Sequence, residues 1–320
     1  MLAVTCVSQS ADDPLSGLEV GQRPDPDVPA GWARVHVRAA ALNHHDLWSL
    51  KGVGLPADRL PMVLGCDAAG VTDDGAEVVV HAVIGDPEHG DETLDPGRTL
   101  LSEKHQGTLA EQVAVPARNV VPKPASLTWE EAACLPTAWL TAYRMLFTKS
   151  GLKPGGRVLV QGAGGGVSTA LVMLARAAGY VVWVTSRDPA KRARAVEIGA
   201  HQAFENGARL PDRVDAVMET VGAATWEHSL RSLGPGGTVV VAGATSGAEP
   251  PADLRRVFFR QLNVAGSTMG TKAELAALLR MLDATGVRPL VDSVLPLGQA
   301  RTAFARLAAG ESFGKVVLTP

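Results

Sequence analysis

Five small residues and a valine, Gly162-Ala163-Gly164-Gly165-Gly166-Val167, follow the apolar run Arg157–Gln161 and precede the helix-like segment Ser168–Ala178. Glycines let a strand-to-helix turn close tightly and let the backbone approach a ligand. The amides that open the helix lack intrahelical partners, so such a turn suits a pyrophosphate. The strict G-x-G-x-x-G spacing fails here, because Val167 holds its sixth position. Alone, a glycine-rich turn is equally a way of turning the chain. Inside a strand–turn–helix–strand unit it predicts a dinucleotide site.

The end of the next apolar run, Tyr180–Thr185, discriminates between dinucleotides. A site that reads a ribose 2′-hydroxyl places Asp or Glu there. This chain has Ser186-Arg187, followed by Lys191 and Arg192. A hydroxyl and a guanidinium suit a 2′-phosphate, which a carboxylate would repel. The expected cofactor is therefore NADPH, against the plainer reading of a solvated basic helix start. Asp188 precedes Pro189 and is read as a helix N-cap, not as a ribose ligand.

The elements that must position these residues change rhythm near Gly151. Before it, Ala33–Ala41, Glu77–Val83 and Leu109–Val115 read as strands, with a polar surface loop over Gly85–Gln106. Thr128 with Glu131 forms the sequence pattern of a capping box that opens a helix. After Gly151, Arg157–Gln161, Tyr180–Thr185, Val214–Met218, Thr238–Ala242 and Asn263–Ser267 read as strands. Helices are expected at Ser168–Ala178, Pro189–Ile198, Trp226–Leu233 and Glu274–Thr285. Near-continuous apolar strands alternating with helices specify a doubly wound parallel sheet. Residues 290–320 return to short β-like runs and are expected to rejoin the first domain.

Composition narrows the partners. With 30 Lys plus Arg against 33 Asp plus Glu, the net charge of −3 gives no reason to expect nucleic acid or an anionic membrane surface. Three scattered cysteines, Cys6, Cys66 and Cys134, form no C-x-x-C pair and fit a reducing compartment. The first residues carry no basic region ahead of an apolar one, and no run approaches 18 apolar residues. The expectation is a cytoplasmic protein with a small-molecule substrate.

Several further stretches carry a resemblance: Ala41–Trp48 (ALNHHDLW), Leu64–Val71 (LGCDAAGV), Gly107–Val115 (GTLAEQVAV), Leu135–Leu146, Leu152–Val160, Pro235–Ser246 and Phe313–Leu318 (FGKVVL). Together they make the chain resemble the medium-chain dehydrogenase/reductase superfamily over nearly its whole length. Within it, the likeness is to the branch of quinone oxidoreductases and zinc-type alcohol dehydrogenase homologues. The resemblance implies an α/β protein: a GroES-like β-barrel domain over 1–122, to which 288–320 return, and a Rossmann domain over 123–287. It further implies an active site in the cleft between the two domains, and a homodimer.

The same resemblance assigns residues. Asn43 and Asp46 match an N-x-x-D segment, and Thr141 matches a threonine beside the nicotinamide; these three are the candidate catalytic residues. Trp48 stands where many quinone reductases have a tyrosine, so a phenolic proton donor is missing. Val221, Ala242, Gly243 and Ser267 fall at or beyond the carboxyl ends of later strands, where this fold places ligands. Gly314 and Lys315 match a segment that returns to the cofactor. Zinc-dependent members carry Cys, His and Cys at positions that here are Asn43, Cys66 and Thr137, and the loop Gly85–Gln106 has no cysteine for a structural zinc. The expectation is no metal, although a site rearranged onto Cys66 with His44 or His45 stays open. Without a Lewis acid, hydride transfer to a quinone or conjugated enone is favoured over reduction of an isolated carbonyl. A zinc-dependent alcohol dehydrogenase and a cofactor-binding protein without turnover are the competing readings.

Overall fold

The computed structural model describes residues 1–86 and 88–320. The chain forms two compact units, one of Met1–Leu140 with Met269–Pro320 and one of Thr141–Thr268. The divisions therefore fall at 140/141 and 268/269, inside the span 123–287 expected for the second domain. One reason is the helix Lys272–Thr285, which packs against the strand Val120–Pro122 of the first unit. Among the described residues no helix is long and apolar enough to cross a membrane.

The second unit is a six-stranded parallel sheet. Its order is Gln202–Phe204, Val181–Thr185, Arg157–Val160, Val214–Glu219, Leu233–Val241 and Asn263–Gly266. The central strands are covered on both faces: Val158, Leu159, Val182, Val184, Ala216, Val217 and Val239 have no exposed surface. Burial on both faces is why these strands read as unbroken apolar runs. The helices Gly166–Ala177, Pro189–Glu197 and Ala223–Ser232 connect successive strands. Asp188 caps the second of them as expected, its carboxylate accepting from Ala190 N at 2.8 Å. The three-residue edge strand Gln202–Phe204 and the short helix Leu254–Phe259 carry too little pattern to have been expected.

The first unit is built on the ten-residue strand Trp32–Ala41. It pairs antiparallel with Asp67–Thr72, Gln112–Pro116 and the carboxyl-terminal strand Lys315–Thr319. Residues 290–320 do rejoin this unit, but they include an unexpected helix, Ala300–Ala308. Its buried face is Ala300, Ala303, Phe304 and Leu307, spacing that belongs to a helix and not to a strand. The run Glu77–Val83 divides into Glu77–Val80 and Val83–Ile84. Within 85–106, Thr99–Leu100 pairs with Val83–Ile84, and Leu101 and Ser102 are wholly buried, so that loop is only partly at the surface. Pro87, also in that loop, lies outside the described residues. Thr128 and Glu131 form the expected capping box at 2.9 and 3.2 Å. The helix they open then widens into π-helical turns at Leu135–Trp139 and Arg144–Lys149.

Candidate active site

In the second unit, parallel pairing brings the expected residues to one edge of the sheet. Gly162–Val167 follow the strand ending at Val160, and Ser186 follows Thr185. Val221 lies just beyond Glu219, Ala242 and Gly243 follow Val241, and Ser267 follows Gly266. Gly162 and Gly164 have φ of +82° and +99°, backbone that glycine adopts without a steric cost. The helix Gly166–Ala177 has Gly165 as N-cap and no side-chain cap. Its first intrahelical bond runs from Thr169 N to Gly165 O, so the amides of Gly166, Val167 and Ser168 precede the helical ladder. Uncapped amides at a helix start can hold an anion. Ser186 is buried, and its hydroxyl accepts from Asp188 N at 3.2 Å. Arg187 is exposed, and Arg192 donates to the carbonyl oxygens of Ser186 and Arg187 at 2.7 and 3.2 Å.

A buried polar network holds this edge in shape. Thr185 Oγ1 accepts from Gly162 N at 3.3 Å and donates to Gln161 Oε1 at 2.6 Å. Gln161 Nε2 donates to Ser229 Oγ at 3.0 Å, and Ser229 donates to Glu219 Oε2 at 2.6 Å. Glu219, without exposed surface, also accepts from Val221 N, Gly222 N and the Thr225 hydroxyl at 2.8–3.0 Å. Gln161 Nε2 also donates to His228 Nδ1, which puts the imidazole proton on Nε2, facing Ala208 O at 2.9 Å. Burial pushes the His228 pKa down and keeps the ring neutral. Sequence reasoning missed these residues. The polar Gln161 and Glu219 at the ends of apolar runs were the available signal. Ser267 Oγ is buried with no hydrogen-bond partner among the described residues. Thr141 is buried in the helical turn Leu140–Tyr143.

In the first unit, strand register assembles a second constellation. Val317 pairs with Ala41, and Ala41 pairs with Asp67. Two residues back along one strand and two on from the other, Lys315 therefore meets Asn43. Lys315 Nζ donates to Asn43 Oδ1 at 2.6 Å, to Leu42 O at 2.7 Å and to Asp67 Oδ2 at 3.0 Å. Asn43 Nδ2 donates to the same Asp67 oxygen at 2.8 Å and to Ala41 O at 3.3 Å. An ammonium has three donors, and all three are taken. Lys315, 2% exposed, is thus committed to the first unit's interior, not to a ligand at its surface. Gly314 is needed for the backbone: its φ is +114°, and a Cβ there would lie 2.4 Å from Leu290 O.

Asn43 changes role in the same way. Both of its amide donors are used, so it is a clamp on Lys315 and Asp67 and has no N–H left for a substrate oxygen. His44 and His45 begin the helix His44–Leu50, with Asn43 as its N-cap. Asp46 Oδ2 accepts from Asn43 N at 2.8 Å. Asp46 is fully buried, and burial raises its pKa to about 6 against the opposing pull of His45 and the Asn43 amide.

The zinc-ligand positions do not fit a tetrahedral ion. Asn43 Oδ1 faces an ammonium, and Thr137 offers only a buried hydroxyl without a partner among the described residues. Cys66 is a suitable ligand type, but its thiol faces Leu101 O at 3.2 Å and His45 Nδ1 at 3.5 Å. Burial raises the Cys66 pKa. Burial would also depress His45, but Cys66 and Glu103, whose carboxylate lies 3.0 Å from Nε2, hold the His45 pKa well above its ordinary value. Among the described residues no three His, Cys, Asp or Glu side chains gather as a metal site. Cys134 is a buried thiol pushed up to about 12 by burial.

Comparison with known proteins agrees with both units. Residues 29–125 match the alcohol dehydrogenase GroES-like domain, and residues 166–284 match the zinc-binding dehydrogenase family. The chain is 29% identical to a zinc-type alcohol dehydrogenase-like protein of Schizosaccharomyces pombe, over 96% of this chain and 97% of that one. It is 32% identical to 2-methylene-furan-3-one reductase of Solanum lycopersicum, over 92% of this chain and 73% of that one. A crystal structure described as NAD-dependent alcohol dehydrogenase superposes with a TM-score of 0.93 at 36% identity, each chain covered in full. The chain belongs to the medium-chain dehydrogenase/reductase superfamily and has its GroES-like and Rossmann folds.

Two expected outcomes test the first constellation. Asp46 has a folded pKa above its ordinary value, so its contribution to stability is present below pH 4 and lost as pH rises through 6. Asp46→Asn keeps an acceptor for Asn43 N and removes the charge. Relative to the parent, it should gain up to roughly 3 kcal/mol between pH 4 and pH 8 in urea unfolding. A difference independent of pH would refute the assignment. Lys315→Met leaves Asp67 buried without its cation and should cost about 3–5 kcal/mol, while adding Asp67→Leu should recover most of it. A single-variant loss below about 1 kcal/mol would show that the ammonium is not compensating Asp67.

Proposed function

We propose that the chain is an NADPH-dependent reductase of quinones or α,β-unsaturated carbonyl compounds that works without zinc. The observation that carries this reading is the Lys315 ammonium 2.6 Å from the Asn43 side-chain oxygen, at a position where zinc-dependent members of the family hold a thiolate. The positive charge there belongs to a fixed side chain neutralised by Asp67, and an ammonium accepts no lone pair as a Lewis acid does. Reduction of an isolated carbonyl concentrates charge on one oxygen. Reduction of an enone or quinone spreads it, so that backbone amides or water suffice. The tomato relative supports the same class, since a methylene-furanone is an α,β-unsaturated ketone.

In this reading the amides of Gly164, Gly165, Gly166 and Val167 hold the cofactor pyrophosphate, on a turn shaped by Gly162 and Ala163. Ser186, Arg187 and Lys191 hold the 2′-phosphate. Val221, Ala242, Gly243 and Ser267 flank the cofactor along the carboxyl edge of the sheet, and Thr141 lies beside its nicotinamide. When bound, that ring supplies a hydride. Asn43, Asp46, Gly314 and Lys315 act as positioning residues within the first unit, and solvent supplies the proton that Trp48 cannot. The structural relative described as NAD-dependent alcohol dehydrogenase favours the second reading, alcohol oxidation with NAD.

Steady-state assays with quinones, enones and short alcohols, each with both cofactors, separate the readings. Quinones or enones with NADPH should be the best pairs. Arg187→Ala should weaken NADPH binding by about 1–3 kcal/mol and barely affect NADH. Faster turnover of alcohols, equal losses for both cofactors, or NADPH that no acceptor oxidises would overturn the proposal.

We also infer a homodimer. The last strand of the parallel sheet, Asn263–Gly266, is an edge whose Val264 is 52% exposed. The preceding helix exposes Leu254, Phe258 and Phe259 by 67–81%. An apolar edge strand in water is a liability that a second copy removes by adding its own edge. Light scattering should give about twice the 33.3 kDa chain mass, and Phe259→Asp combined with Val264→Lys should give the monomer. A monomeric parent protein would end the idea.

A further inference from the structure

The opposite edge of the same sheet carries an unexplained concentration of positive charge. Arg213 immediately precedes the strand Val214–Glu219, and Arg231 lies in the last turn of the helix Ala223–Ser232. Both are at the amino ends of the strands, a strand's length, roughly 15–20 Å, from the glycine turn. Together with Arg209 they line a cavity of about 560 Å³ whose remaining walls come from Gly207–Asp212, His228 and Ser232. Arg209, Arg213 and Arg231 are all exposed.

Helix capping accounts for part of this cluster. Arg213 donates to Arg231 O, Arg231 to Gly207 O at 3.0 Å, and Arg260 to Leu233 O at 3.1 Å. Carbonyl oxygens near a helix end attract cations, but they do not neutralise several guanidinium groups. The nearby carboxylates are engaged elsewhere: Asp212 pairs with Arg157 at 2.8 Å, and Asp253 with Arg256 at 2.7 Å. Partial burial and then the fields of Arg260, Arg256, Arg209 and Arg231 pull the Arg213 pKa below its ordinary value. Several like charges gathered around one cavity favour drawing in an anion. A guanidinium offers five donors, so one carbonyl apiece leaves most of them for a ligand.

We propose that the cavity lined by Arg209, Arg213 and Arg231 is a second anion site, taking a small molecule that carries a diphosphate or two adjacent phosphate groups. Forked guanidinium donors match phosphate oxygens in pairs, and the cavity has room for such a group with a compact organic substituent. Inorganic pyrophosphate serves as the probe, titrated calorimetrically into the full-length protein at fixed ionic strength, with parallel runs on Arg209→Gln, Arg213→Gln and Arg187→Gln. Arg209 makes no hydrogen bond to a described residue, so its substitution leaves the helix cap intact. Saturable binding is expected in the parent, weakened about tenfold or more by Arg209→Gln and by Arg213→Gln. Arg187→Gln, at the other edge of the sheet, should leave this binding unchanged. The proposal fails if the parent shows no saturable binding. It also fails if Arg187→Gln removes the binding, which would place the anion where the cofactor's 2′-phosphate is read, or if Arg209→Gln leaves it unaltered.

Discussion

The first unit depends on one buried ion pair. Lys315 and Asp67 are 2% and 0% exposed, so each charge has lost its water, and neither is tolerable without the other. Their meeting is possible only if three strands hold their register. A one-residue slip would turn Lys315 or Asp67 to the opposite face. The pair therefore ties the carboxyl-terminal strand to the strand Trp32–Ala41, and through Asn43 it fixes the start of the helix His44–Leu50. A charge placed where an apolar residue would stabilise at least as well is a device for specifying one arrangement. Here that arrangement is the turn carrying Asn43 and Asp46.

The second unit solves a related problem without a cation. Glu219 is buried at the carboxyl end of its strand, and its carboxylate is satisfied by backbone amides and hydroxyls. Through Ser229, Gln161 and Thr185 the same network reaches Gly162 N. The turn that opens the helix Gly166–Ala177 is therefore braced from behind, while its forward amides stay uncapped. Rigid support behind and open donors in front are what anion binding by backbone requires, because donors already aimed lose little entropy when a ligand arrives.

The parallel sheet was legible because its strands are buried on both faces and its helices start at recognisable caps, Asp188-Pro189 among them. The glycine turn and the residues beyond each strand followed from strand order alone. The helix Ala300–Ala308 was missed because a short segment rich in alanine was read at the period of a strand. The roles of Asn43 and Lys315 could not be read from their types, since both depend on pairing between strands far apart in sequence. Nothing local in FGKVVL says that its lysine points inward to an aspartate at position 67. The compact units divide at 140/141 and 268/269 and not at the expected 122/123 and 287/288, because the helix Lys272–Thr285 follows its contacts, not the alternating rhythm of the sheet before it.

That the first unit is made of two chain segments has a consequence for how it forms. Its amino-terminal part is completed by Met269–Pro320, because the strand that neutralises Asp67 is Lys315–Thr319, far from it in sequence. Contacts separated by most of the polypeptide carry the entropic cost of closing the intervening chain before they return any energy. Thr141–Thr268 supplies its own sheet from neighbouring strand–helix pairs, and once folded it replaces a long flexible loop with a rigid insert whose two ends are fixed. A folded middle segment therefore lowers the entropic cost of bringing Asp67 and Lys315 together.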